Sequence, residues 1–435
     1  MTRILLRGRV LSFIDEPKSL DDTSSYVYFE DGEVEIEDGR IVSAGQFDGA
    51  QDAGTRIIDH RPHLIMAGFI DPHIHFPQMQ VIGSYAGALL EWLNAYTFVE
   101  EQKFADEAHG ARIASRFLDE LIRHGTTTAA AYCSVHPQSV DAFFTEAARR
   151  DMLVLGGKVM MDRNAPPGLL DTAQASYDDS KRLLGTWHGK GRALYAITPR
   201  FAITSSPAQL EAAAALAREF PDCHIQTHAS ENRAEIEYAR ELYPDAVDYV
   251  GIYERYGLLG PRTLLGHCIH LSHREVEVVA DTESVAVFCP TSNLFIGSGL
   301  FDYDRLHTRG ARIAVATDVG GGSSYSLLRT LDEGYKVLQL RGQRLNPLRS
   351  FYHATLGNAR ALGLEGTIGA LVPGAAADVV VLDACATPQM ALRHETISAL
   401  AQELFLLQTC GDDRAVVETY VAGRPMKSAL PQPGT

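Results

Sequence analysis

The chain has 435 residues, of which 46% are apolar and 22% charged, with a formal charge of −16. These are the proportions of a globular protein, long enough for one large domain with an appendage or for two or three domains. The acidic balance argues against binding nucleic-acid phosphates, and no run of about 18 apolar residues offers a membrane span, so a small ligand in a pocket is the compatible partner.

The N-terminus, Met1-Thr2-Arg3-Ile4-Leu5-Leu6-Arg7, has no long apolar stretch and no small-residue cleavage site, so no signal peptide is expected. The six cysteines are scattered without a CxxC pair. That pattern suits free thiols in a reducing cytoplasm better than a disulfide framework. Residues 1–62 read as β-rich, with β-branched runs over 3–13 and 32–47 and turn signals at Asp31-Gly32 and Asp38-Gly39. The stretches 377–383 and 415–422 have the same texture. Chain termini often lie close together, so the two ends are expected to join. The expected organisation is a small β-sandwich domain from residues 1–65 and 369–435, flanking a central domain over 66–368.

The central region opens on Gly68-Phe69-Ile70-Asp71-Pro72-His73-Ile74-His75, preceded by Leu64, Ile65 and Met66. The unbroken apolar run predicts a buried parallel strand reaching up to the histidines. Residues two apart in extended backbone project to one side, so His73 and His75 can address a single metal ion. An amphipathic helix is predicted over 111–124, with Gly125 as its C-terminal cap, followed by a strand over 126–131. Further strands are predicted over 153–159, 193–198, 223–227, 263–266, 284–288 and 312–316. Helices over 208–219, 233–242 and 272–281 fall between them. The count of eight alternating units predicts a closed parallel (β/α)8 TIM barrel, an α/β fold. A doubly wound open sheet is the alternative, but no GxGxxG motif follows a first strand.

On that barrel, His73, His75, Arg200, His228, His267 and Asp318 each fall at the carboxyl end of a strand, the face where such barrels build their sites. A metal site is therefore expected. The remaining histidines are read as surface or hydrogen-bonded residues, with His270 and His273 as capping or solvent-facing groups. Lys158 is placed inside strand three, in a structural role. Gly320-Gly321-Gly322-Ser323-Ser324 lacks the GK[ST] of a phosphate loop and is read as a turn that lets backbone approach the pocket.

Together, Gly68 to His75, Thr198-Pro199-Arg200-Phe201, Thr227-His228-Ala229-Ser230-Glu231-Asn232, Gly266-His267-Cys268 and Thr317-Asp318 resemble the amidohydrolase superfamily. More narrowly, Pro77-Gln78, Leu89-Leu90-Glu91-Trp92-Leu93, Tyr96-Thr97-Phe98, Cys289-Pro290-Thr291-Ser292-Asn293-Leu294 and Thr317 to Gly322 resemble the guanine deaminases within it. The resemblance covers essentially the whole chain. It implies one zinc ion per chain, held by His73, His75, His228 and Asp318, with His267 beside it. Members with two metals carry a bridging modified lysine at the end of strand four, where this chain has Pro199-Arg200.

The implied reaction is hydrolytic deamination of guanine to xanthine in purine metabolism. Glu231, His267 and Asp318 are its expected catalytic residues. Gln78, Arg200, Phe201, His228, Glu231 and Asp318 are its expected substrate contacts. The guanidinium of Arg200 matches the two acceptors of the O6/N7 edge, and Gln78 both donates and accepts. The chain is expected to act as a cytoplasmic homodimer, with no nucleic-acid or membrane partner. Two rivals stand beside this reading. One is a related hydrolase acting on a pterin, cytosine or a triazine. The other is a non-catalytic assembly protein, which would be expected to lose ligands or Glu231; this chain keeps them.

Overall fold

The computed structural model describes residues 3–49, 55–85 and 87–431. Met1 and Thr2, part of the N-terminal reading, lie outside the described residues.

The two ends of the chain meet in one mixed seven-stranded sheet. Its order is Arg424–Pro425, Val416–Val421, Val379–Leu382, Arg56–Ala67, Arg3–Phe13, Tyr26–Glu37 and Arg40–Gln46. All neighbours are antiparallel except Arg3–Phe13 with Arg56–Ala67. The joining of the two chain ends expected from the sequence is therefore present, in one continuous hydrogen-bonded sheet. Alternate residues of its central strands serve two cores. Leu64, Met66, Val380 and Leu382 face the barrel, while Ile65, Ala67, Val379 and Val381 join Ile4, Leu6 and Val10 on the other side. With both faces covered, the strand loses the apolar–polar alternation that a half-buried strand shows. This corrects the reading of 64–70 as one barrel strand. Arg56–Ala67 ends in the small sheet, and a separate strand, Phe69–His75, begins the barrel after Gly68.

The turn signals divide in the same way. Asp38 and Gly39 have φ of 49° and 78°, the left-handed pair of a two-residue hairpin turn. Asp31-Gly32 is not a hairpin turn, because Tyr26–Glu37 continues through it, with a shift of pairing register against Arg3–Phe13 beside it. A Cβ on Gly32 would sit 2.8 Å from Val10, so this glycine permits close approach of the neighbouring strand.

Eight parallel strands form the barrel: Phe69–His75, Thr126–Tyr132, Leu153–Gly157, Ala193–Pro199, His224–Ala229, Thr263–His267, Val285–Phe288 and Arg312–Val315. They are called strands one to eight below. The helix predicted over 111–124 is Glu107–Arg123; it starts earlier because Asp106 accepts the Ala108 and His109 backbone N–H groups as its N-cap. Its buried Ile113, Phe117, Leu118, Leu121 and Ile122 face the core, and Gly125 follows with φ of 84°. Strand three stops at Gly157, and Val159–Met160 pairs separately with strand four. Lys158 thus sits at the break rather than inside a strand. Its buried ammonium pairs with Asp171, a structural use.

Strands eight and one close the ring partly through a side chain. Asn358 donates to the carbonyls of Ile70 (2.7 Å) and Val315 (2.8 Å) and accepts from Val315 N–H (3.0 Å). Beyond the strand ends, Asp318 N–H donates to His73 O and His75 N–H to Val319 O. Asn358→Ala leaves a buried N–H and two buried carbonyls short of a partner. It is expected to cost about 3 kcal/mol, read as a lower denaturant midpoint with an unchanged slope.

Candidate active site

The carboxyl ends of strands one, four, five, six and eight converge as expected, and the loops there are tightly turned. Ser230, His267, Cys268 and Asp318 all have φ between 50° and 73°. Non-glycine residues held in this left-handed region gather at functional sites, where the surrounding structure maintains them. Gly266 makes room directly, since a Cβ there would lie 2.5 Å from the His73 ring. The Gly320–Gly322 turn has the same function: a Cβ on Gly322 would lie 1.8 Å from Thr317 O, and one on Gly320 would lie 2.5 Å from Gln78 O.

Three imidazoles and one carboxylate face a common point. His73 is fully buried, and among the described residues neither of its ring nitrogens has a hydrogen-bond partner. Its Nε2 stands 3.4 Å from Asp318 Oδ1, and His75 Nε2 stands 3.3 Å from the same oxygen. His75 Nε2 and His228 Nε2 are 3.2 Å apart. The Nδ1 of His228 donates to the Arg200 carbonyl at 2.7 Å. A carbonyl only accepts, so the proton lies on Nδ1 and the Nε2 lone pair faces the cluster. Ligand atoms about 2.1 Å from one tetrahedral ion stand about 3.4 Å apart, close to the three spacings just given. Orphaned imidazole nitrogens beside a buried carboxylate therefore fit a cation of the zinc type.

The charge states agree. Burial pushes His75 down to about 4 and His228 well below the ordinary histidine value, so both are neutral donors. Burial by itself would raise Asp318, but its contacts with His73 and His75 outweigh it and hold the carboxyl well below the usual range. Cys289 also lies near His73 and Asp318. Burial holds its thiol far above the ordinary value, and its Sγ–H donates to Val287 O. One turn away, Asp71 accepts from His73 N–H and from the backbone and hydroxyl of Thr317, tying strand one to strand eight.

His267 is set differently. The Asn293 side-chain amide donates to its Nδ1 at 2.9 Å, which leaves the proton on Nε2. That Nε2 faces Glu231 Oε2 at 3.3 Å and Asp318 Oδ2 at 3.9 Å. Glu231 follows the left-handed Ser230 and precedes Asn232, the N-cap of the helix Arg233–Leu242. Its carboxyl accepts from Ser298 Oγ at 2.7 Å. Burial, with the nearby carboxylates of Glu235 and Asp318, raises this group well above the ordinary glutamate value, which favours its protonated form.

A cavity opens beside these groups. Arg200, Gln78, Phe201 and Glu231 line it, and Leu89, Trp92, Leu93 and Ile296 supply apolar walls. All the site residues expected from the sequence are thus brought together. Those not anticipated are Glu101, which pairs with Arg200, together with Asn293, Ser298 and Gly266. Asn293 and Trp92 stood within quoted motifs, but nothing in their spacing assigned them a partner. Of the histidines set aside, His224 bonds the Leu362 carbonyl and His353 bonds the Tyr303 hydroxyl. His270 departs from its reading: instead of capping a helix or facing solvent, it donates to the carbonyl of Ser298, whose hydroxyl meets Glu231. His273 is exposed at the start of its helix.

Comparison with known proteins is consistent across sequence and structure. The amidohydrolase family profile matches residues 64–426. A guanine deaminase of Escherichia coli K12 is 44% identical over 420 residues, which is 95% of this chain and 96% of that protein. The solved E. coli guanine deaminase structure superposes with a TM-score of 0.93 at 43% identity, covering 98% of this chain and 99% of the other. A guanine deaminase from Bradyrhizobium japonicum gives 0.94 at 38% identity, covering 98% and 99%. One from C. acetobutylicum with guanine bound in its active site gives 0.87 at 27% identity, covering 98% and 100%.

Proposed function

The chain belongs to the amidohydrolase family, and from that premise we propose that it catalyses hydrolytic deamination of guanine to xanthine and ammonia, with one zinc ion per chain. The observation that carries the proposal is the site itself. A buried set of three imidazoles and a carboxylate stands beside a buried glutamate and a guanidinium, in a fold shared at high coverage with guanine deaminases.

His73, His75, His228 and Asp318 are the residues that would hold the ion. Zinc so held lowers the pKa of a coordinated water toward about 7, making hydroxide available at neutral pH. Every other part is supplied by the chain. Asp318, kept ionised, accepts the proton lost by the attacking water. His267, with its proton on Nε2, orients that water. Glu231, kept protonated, donates to a ring nitrogen as water adds to C2. It then takes the proton of the new C2 hydroxyl and passes it to the 2-amino group, which leaves as ammonia as the C2–N bond breaks and the C2 carbonyl forms, and the proton on Asp318 returns to Glu231. Arg200 reads the O6/N7 edge, Phe201 packs near the ring, and Gln78 meets the mixed ring-nitrogen edge.

In this reading the reaction belongs to the barrel that begins at Phe69–His75, flanked by the small domain that the two chain ends form. The site is that of a cytoplasmic homodimer in purine breakdown. No helix among the described residues is long and apolar enough to cross a membrane.

The deciding experiment is an ultraviolet assay for xanthine formed from guanine, with pterin, cytosine and triazine substrates alongside. Turnover of guanine is expected; absence of ammonia release from guanine defeats the proposal. Elemental analysis of the purified protein should give close to one zinc per chain, since strand four ends in Pro199-Arg200 and offers no lysine bridge. Two tightly held metals per chain would contradict the mononuclear scheme.

A further inference from the structure

Glu101 is the last residue of the short helix Phe98–Glu101, and its carboxylate is fully buried. One oxygen accepts from Arg200 Nη1 at 2.6 Å, and the other accepts from Gln78 Nε2 at 3.0 Å. Gln78 Oε1 in turn accepts from Gly320 N–H at 3.2 Å, two residues past Asp318. A buried guanidinium needs a partner, and one carboxylate oxygen supplies it. The second oxygen does something else. A glutamine amide has two nearly equivalent senses, one donating where the other accepts. A carboxylate can only accept and a backbone N–H can only donate, so Glu101 and Gly320 both impose the same sense on Gln78.

We infer that Glu101 is the positioning residue for purine selection: its two oxygens fix the Arg200 guanidinium and the Gln78 amide as one unit, so that both meet the substrate in a single donor–acceptor pattern. This rests on the guanine reading above. With Nη1 held by Glu101 and the Phe98 ring 5.4 Å from the guanidinium carbon, the plane of Arg200 is set. Its remaining N–H groups are left for a pair of acceptors such as O6 and N7. The role is exerted through Arg200 and Gln78, so Glu101 need not touch the substrate.

The test compares wild type, Glu101→Gln, Glu101→Asp, Arg200→Ala and the double variant Glu101→Gln/Arg200→Ala, with guanine as substrate. Glu101→Gln sets an amide N–H against either Arg200 or Gln78, donor against donor. Its KM for guanine should rise about 10- to 100-fold, with kcat within a few-fold and zinc content unchanged. Glu101→Asp keeps the charge but not the reach to both partners, and should give an intermediate KM. In the Arg200→Ala background, Glu101→Gln should change kcat/KM by less than about threefold, because the shared contact is already gone.

An unchanged KM in Glu101→Gln, or a full additive loss in the double variant, overturns the inference. So does a loss confined to kcat and zinc content. If Glu101→Gln does not fold, Glu101→Asp and the charge-balanced double variant decide by the same criteria. Wild type that releases no ammonia from guanine overturns the earlier reading and this inference with it. Wild type that turns guanine over while Glu101→Gln keeps its KM overturns this inference alone.

Discussion

Glu231→Gln is expected to keep its metal and lose at least about 100-fold in kcat, the lower end of what a positioned acid/base supplies. The side chain is 3% exposed and packed between Ser298 and His267, at 2.7 and 3.3 Å. Glutamine preserves its volume and can still accept from the Ser298 hydroxyl, so the pocket stays in place. What it loses is the proton. The wild-type carboxyl is raised by burial first, then by Glu235 and Asp318, with Ser298 pulling the other way. Because the folded-state value lies above the unfolded one, the group keeps its proton to a higher pH than an ordinary glutamate does. Its environment favours the acid form, while that of Asp318 favours the base form. The measurement is single-turnover kinetics with guanine alongside zinc content. Near-normal turnover with zinc retained would remove Glu231 from the chemistry.

Arg200→Ala is expected to lose about 2–4 kcal/mol of transition-state stabilisation for guanine, the range of charged hydrogen bonds left unmade. Adenine carries an amino group where guanine carries O6, which sets donor against donor at the guanidinium. Its amine is also on C6, away from the attacked carbon. Arg200 should therefore favour guanine, and an analogue without O6, such as 2-aminopurine, should lose much less on the substitution.

The buried pairing with Glu101 adds a second effect. Removing the arginine strands a carboxylate that is fully buried. Stability should fall by about 3–5 kcal/mol, as when one member of a buried pair is removed. Adding Glu101→Gln should return much of that. Any general loosening of the pocket falls on both substrates alike, so the ratio of kcat/KM for guanine to that for 2-aminopurine isolates the reading of O6. Equal losses for both would mean that Arg200 holds the pocket together instead.

The convergence of the polar residues was legible in the sequence because it depends on local order alone. His73, His75, His228, His267 and Asp318 each lie at the carboxyl end of a strand in a regular β/α alternation, and such a barrel sends the ends of all its strands to one face. The helices were legible through periodicity, and 233–242 matches Arg233–Leu242 because Asn232 and Glu235 form a capping box within the same few residues. Strand three and the Asp31-Gly32 signal were not, for a common reason. Both were read from local composition, whereas Lys158 is placed by Asp171 and Gly32 by the strand carrying Val10.

By itself, then, the sequence determined the alternation, the eight strands, the joining of the chain ends and the polar residues that converge there, all consequences of short-range pattern and chain order. The tertiary structure decided which polar groups are partners. Glu101 meets Arg200 across 99 positions, Ser298 meets Glu231 across 67, and Asn358 meets Ile70 across 288. Hydrogen bonds of that kind leave no periodicity along the chain. They exist because burial makes an unpaired donor or acceptor costly, and only the fold determines which partner lies within reach.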